Sequence, residues 1–148
     1  MEVNKNITRH PLVRRLISLN FTIGDFLIFG SAPLLAHGIR RSISDVDVLA
    51  RGAAWSEACR LGIPATGTST NSGAMHFWGG RIEVYNEWIS PGFAFEELME
   101  RADWIGGLPF ASLSDVAAYK KKLMRPKDVD DLRIIEGNAV SHSESAAG

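Results

Sequence analysis

A single cysteine, Cys59, stands alone in 148 residues. It has no partner within the chain, so an internal disulfide and a cysteine-rich zinc site are excluded, and a reducing cytoplasm suits it. Neither sign of charge is in excess. The formal net charge is -1, so no global field draws in nucleic acid or an anionic membrane. No apolar run approaches the length of a bilayer span. The polar stretch from Met1 to His10 has no apolar segment of the signal-peptide kind. These absences predict a cytoplasmic protein that stays out of the membrane. Several enzyme signatures are missing as well. There is no Gly-x-x-x-x-Gly-Lys loop, no His-Glu-x-x-His and no Gly-x-Ser-x-Gly. His10, His37, His76 and His142 show no metal-ligand spacing.

What is present reads as one globular domain over residues 1–137, followed by a small, polar and disordered tail over 138–148. Pro11 to Ile17 predicts a helix with proline in its first turn. Phe26 to Phe29 predicts a buried strand stopped by Gly30. Ser31 to His37 predicts a short helix with Ser31 near its N-cap, and Asp45 to Leu49 a strand. Ala53 to Leu61 predicts a helix ended by Gly62. Met75 to Trp78 and Arg81 to Trp88 predict a hairpin about a Gly79-Gly80 turn. Phe95 to Ala102 predicts a helix and Leu108 to Phe110 a short edge strand that tolerates Pro109. Ser112 to Met124 predicts a helix opened by a Ser112/Asp115 capping box, and Lys127 to Glu136 a last helix capped by Gly137. The fold class is α/β (α+β): a small mixed sheet with helices.

The most informative segment is Gly30-Ser31 followed by Asp45-Val46-Asp47. Side chains two apart on a strand share a face, so Asp45 and Asp47 project together, roughly 6–7 Å apart at the Cα atoms. Two such carboxylates suit hard cations such as Mg²⁺. An isolated acid pair of this spacing is usually no more than a solvated strand face. The neighbourhood changes the reading: a strand ends in Gly-Ser at a helix start, where free N–H groups and the dipole suit a triphosphate. Gly30 admits close backbone approach, and the Ser31 hydroxyl can bond a phosphate oxygen.

In the hairpin, the Gly79-Gly80 turn sets His76 opposite Glu83. Alternation then puts His76, Trp78, Arg81, Glu83 and Tyr85 on one face and Phe77, Ile82 and Val84 on the core face. Glu83 is a candidate third metal ligand, or the base for an acceptor hydroxyl; a salt bridge to an arginine would use it equally well. Further on, Leu113, Val116, Ala117, Leu123 and Met124 form a helical stripe, and Lys120 falls on it. A lysine there must snorkel or meet a partner. It is a candidate phosphate ligand, with Asp128 or Asp131 anchoring the basic turn; capping and ion pairing are the plainer roles for those two acids. Arg125 and Lys127 suit either phosphate or solvent.

These residues together resemble the polymerase-β-type nucleotidyltransferase superfamily. Gly30-Ser31 and Asp45-Val46-Asp47 look like its first motif. The block from Tyr119-Lys120 through Arg125-Pro126-Lys127-Asp128 to Asp131-Leu132 is similar to a lysine-helix and Arg-x-Lys-Asp-x-x-Asp-Leu pattern. That pattern occurs in small bacterial members: lincosamide and aminoglycoside 2″-nucleotidyltransferases and abortive-infection toxin-type enzymes. The resemblance implies a minimal nucleotidyltransferase fold and transfer of a nucleoside monophosphate from an NTP to a hydroxyl of a small molecule, tRNA or protein, releasing pyrophosphate. It implies Asp45, Asp47 and Glu83 as catalytic, metal-binding acids for Mg²⁺ or Mn²⁺. It implies Gly30, Ser31, Lys120 and Asp128 at the nucleotide. Pro33 and a glutamate as third acid depart from the commoner pattern. The extra helical domain of larger members is absent, which suggests a homodimer. The alternatives are a toxin–antitoxin component acting through a protein partner and a nucleotide-binding protein without turnover.

Overall fold

Phe26, Leu27, Ile28 and Phe29 are all buried, as an unbroken apolar run predicts for a strand covered on both faces. In the computed structural model, which describes residues 3–40, 42–66, 73–87 and 94–147, they form strand β1 (Phe26–Phe29). The chain runs through a 3₁₀ turn (Ile7–Arg9), α1 (Pro11–Ser18), β1, α2 (Ala32–Ala36), β2 (Val46–Ala50) and α3 (Gly52–Leu61). It continues through β3 (Ile63–Thr66), β4 (Gly73–Phe77), β5 (Ile82–Tyr85), α4 (Phe95–Glu100), β6 (Asp103–Ile105) and β7 (Leu108–Phe110). It ends with α5 (Leu113–Leu123) and α6 (Pro126–Ala147).

Among the described residues the strands make one sheet in the order β3-β4-β5-β2-β1-β7-β6. β1 runs antiparallel to β2, and β2 runs parallel to β5. The sheet is therefore mixed, and the fold class is the α/β arrangement that the sequence predicts. Alternation along the strands splits the interior into two clusters. Ile28, Val46, Val48, Ile82, Val84 and Phe110 pack with α1 and α3 on one side. Leu27, Phe29, Leu49 and Tyr85 pack with α4 and α5 on the other. No helix among the described residues is long and apolar enough to cross a membrane.

Several local expectations change. Leu108–Phe110 is not an edge strand: β7 pairs with β1, and β6 takes the edge through a hairpin whose Gly106 and Gly107 have φ of +61° and +78°. Strand β3, absent from the sequence reading, pairs with β4. The β4–β5 hairpin keeps the expected register, His76 opposite Glu83 and Phe77 opposite Ile82. Its turn is wider, however, because Trp78 itself is left-handed at φ +50°. Trp78 therefore leaves the His76–Glu83 face, and the Arg15 guanidinium of α1 lies 5.2 Å from its ring centre. The expected extension of this hairpin to Trp88 lies outside the described residues.

At the C-terminal end, Met124 is left-handed and exposed, so it closes α5 instead of joining the buried stripe. The last helix does not stop at Gly137; its backbone stays helical to Ala147. No proline interrupts 138–147, and one glycine costs a helix only about 1 kcal/mol against alanine.

Candidate active site

Strand register brings Asp47 of the site together with Glu83. Asp47 pairs with Phe29 on one side and with Glu83 on the other. Asp47 and Glu83 are thus direct neighbours on one face of the sheet. Asp45 lies just before β2, where the Val46 amide bonds the Arg81 carbonyl at 2.8 Å. Asp45, Asp47 and Glu83 all line one cavity of about 90 Å³, together with Tyr85, Tyr119, Arg125 and Lys127.

Gly30 lies directly against the Asp47 carboxylate. It has φ of +72°, and a Cβ built there would come within 2.6 Å of Asp47 Oδ2. The turn needs glycine both for its backbone angle and because the Asp47 carboxylate packs against it. The environment of that carboxylate is costly for charge. Burial first, then the like charges of Asp45 and Glu83, push Asp47 up to about 7, while Lys127 and Lys120 pull it back.

Glu83 has two close neighbours. Its Oε2 accepts a short hydrogen bond from the Tyr85 hydroxyl, and the His76 Nε2 lies 3.7 Å from Oε1. Burial and that hydrogen bond push ionisation of Tyr85 upward, so Tyr85 acts as a donor. Across the cavity, Tyr119 is held edge-on against Phe29, with ring centres 5.5 Å apart. Among the described residues, no three His, Cys, Asp or Glu side chains stand close enough to hold one ion between them as they are.

The buried lysine of α5 is engaged elsewhere. Lys120 is 2% exposed, and its Nζ lies 2.9 Å from Asp131 Oδ2 and 3.5 Å from Asp128 Oδ1. Both aspartates are fully buried. Asp128 Oδ2 accepts the Arg125 amide at 3.0 Å and its Nε at 2.7 Å, which caps the start of α6 in the manner of a capping box. Burial would push Asp128 up, but the Arg125 hydrogen bonds outweigh it and hold the carboxyl below its ordinary value. For Asp131 burial is likewise outweighed, by the Ser31 and Lys120 hydrogen bonds. Ser31 donates its hydroxyl to Asp131 Oδ2 at 2.5 Å and makes no side-chain cap to α2.

Of the residues the sequence singles out, the three acids share the cavity and Gly30 lies against one of them, Asp47. Ser31, Lys120 and Asp128 instead belong to a buried polar network beside it. Arg125 and Lys127 line the cavity. Tyr119 is a lining residue the sequence reading missed, although it lies three positions beyond Val116 and so continues the stripe of α5. Arg40, which pairs with Asp131, gave no sequence signal. Compared with known proteins, the chain matches no family model, no curated protein and no solved structure.

Proposed function

We propose that the chain is a polymerase-β-type nucleotidyltransferase of the cytoplasm, moving a nucleoside monophosphate from an NTP to an acceptor hydroxyl. One observation carries this reading: Asp45, Asp47 and Glu83 line a single cavity beside the Gly30 turn, with Arg125 and Lys127 on the same cavity. The donor set suits a divalent cation, because three carboxylates offer only hard oxygen ligands. Asp47, crowded by two like charges, gains most from a cation. Bound Mg²⁺ or Mn²⁺ would supply neutralisation of charge on the α-phosphate and the departing pyrophosphate.

The chain's own groups do the rest. Arg125 and Lys127 hold the triphosphate, and Gly30 leaves room for the Asp47 carboxylate. The acceptor oxygen bonds the α-phosphorus, the bond from that phosphorus to the bridging oxygen breaks, and pyrophosphate leaves with the bond's electrons. Glu83 takes the hydroxyl proton. Tyr85 orients it through the hydroxyl bond to Oε2. Most of the rate comes from positioning and electrostatics.

Incubation with NTPs labelled at the α- or the γ-phosphate, with Mg²⁺ or Mn²⁺ and pools of tRNA, proteins and aminoglycoside-like molecules, tests the reading. The α-label is expected on an acceptor and the γ-label in pyrophosphate. A folded protein that transfers neither label, or that transfers the γ-label, refutes it.

A further inference from the structure

We propose that Asp131 is the positioning residue of this site, tying the Gly30-Ser31 turn and the loop before Asp45 to α5 and α6. The proposal rests on the nucleotidyltransferase reading for its kinetic consequences, though not for its structural ones. Four observations support it. Asp131 is fully buried, so each of its oxygens needs a partner. Oδ2 accepts the Ser31 hydroxyl at 2.5 Å and lies 2.9 Å from the Lys120 ammonium. Oδ1 accepts a short bond from Arg40. The Arg40 Nε bonds the Ser42 carbonyl at 2.7 Å, three residues before Asp45. One carboxylate of α6 thus joins Lys120 of α5 to the stretch that holds Ser31 and Arg40, 100 and 91 positions away in the chain.

The role of Ser31 follows from counting protons. A serine hydroxyl has one to donate, and here Asp131 receives it. Toward a phosphate the same oxygen would present only lone pairs. The Ser31 side chain therefore works through Asp131, holding the turn, and its hydroxyl proton is not offered to the nucleotide. Lys120 is a positioning residue in the same sense: its ammonium compensates Asp131 and Asp128 and stays off the cavity wall.

The test compares Ser31→Ala, Asp131→Asn, the double variant and Arg40→Ala, each confirmed folded by circular dichroism and assayed well below its melting temperature. Transfer kinetics, Mn²⁺ affinity by paramagnetic resonance and amide hydrogen exchange are read on each. Ser31→Ala is expected to lower kcat about 10-fold and Asp131→Asn about 100-fold, with Ser31→Ala adding under about 2-fold in the Asp131→Asn background. Mn²⁺ affinity is expected to fall about 10-fold in Asp131→Asn, as the Asp45 loop loosens. If the two losses instead multiply, to about 1,000-fold, Ser31 meets substrate directly and the proposal fails.

Exchange separates this outcome from a failure of the enzyme reading. Should the wild type transfer no label, only that reading falls. The brace then stands if exchange quickens over 28–36 in Ser31→Ala and over 42–48 in Arg40→Ala while 73–77 is unchanged. Unchanged exchange in both segments overturns it, and these two variants decide the matter even if Asp131→Asn does not fold.

Discussion

Asp47→Asn is expected to lower nucleotidyl transfer at least about a thousandfold, or about 4 kcal/mol of transition-state stabilisation, without lowering the melting temperature. The two halves of that result have one cause. Asp47 sits between Asp45 and Glu83, against a glycine that a side chain could not replace without collision. Burial, and then repulsion from two neighbours, disfavour its charge there. Asparagine fills the same volume and can still lie against Gly30, so the fold loses little and is freed of one like charge. What it loses is a hard anionic ligand, the kind a divalent cation at phosphate chemistry requires. Asp45→Asn is expected to behave alike in transfer. Steady-state transfer and a thermal melt on the same preparation check both halves. A variant retaining more than about a tenth of wild-type transfer would remove Asp47 from the chemistry.

Lys120→Met is expected to have the largest effect on stability, about 3 kcal/mol. Methionine matches the stem in length but leaves Asp131 and Asp128 short of a cation in the interior. The loss falls at the lower end of the usual range for a broken buried pair, because Arg40 and Ser31 still serve Asp131 and Arg125 still serves Asp128. For a chain of this size it corresponds to roughly 6–12 °C in melting temperature. Lys121, exposed on the same helix, provides the control: Lys121→Met is expected to change stability by under about 0.5 kcal/mol. Urea unfolding of the two variants beside wild type measures the difference. Equal stabilities would mean that the buried ammonium holds nothing together.

The acid cavity was legible in the sequence because it depends on short-range rules. The Gly79-Gly80 turn sets His76 opposite Glu83 and the apolar run before Gly30 marks β1, while Asp45, expected to open β2, reaches the cavity from just before it. Two strands were harder to see. Ile63–Thr66 contains Pro64 and shows no alternation, and only its pairing with β4 makes it a strand. The three residues of β6 follow the helix expected to end at Ala102 and are too few to display alternation. The Gly106-Gly107 pair after them was nevertheless the same hairpin signal that served at Gly79-Gly80.

The destination of Lys120 was not legible for a different reason. Its burial follows from helical spacing, but the choice between phosphate and Asp131 depends on how α5 packs on α6. The link from Ser31 to Asp131 joins positions 100 residues apart, a distance over which local patterns carry no information. Met124 illustrates the limit of periodicity itself: it lies on the stripe of α5 by spacing, yet the backbone reverses there and exposes it.

The whole functional reading depends on a divalent cation taking its place among Asp45, Asp47 and Glu83. Titration of Mn²⁺ into the wild type and Asp47→Asn, followed by electron paramagnetic resonance with a non-hydrolysable NTP analogue present, tests it most directly. The expected result is saturable binding by the wild type, weakened at least about 30-fold, or about 2 kcal/mol, in the variant. Failure of the folded wild type to bind Mn²⁺, or equal binding by the two proteins, would contradict it.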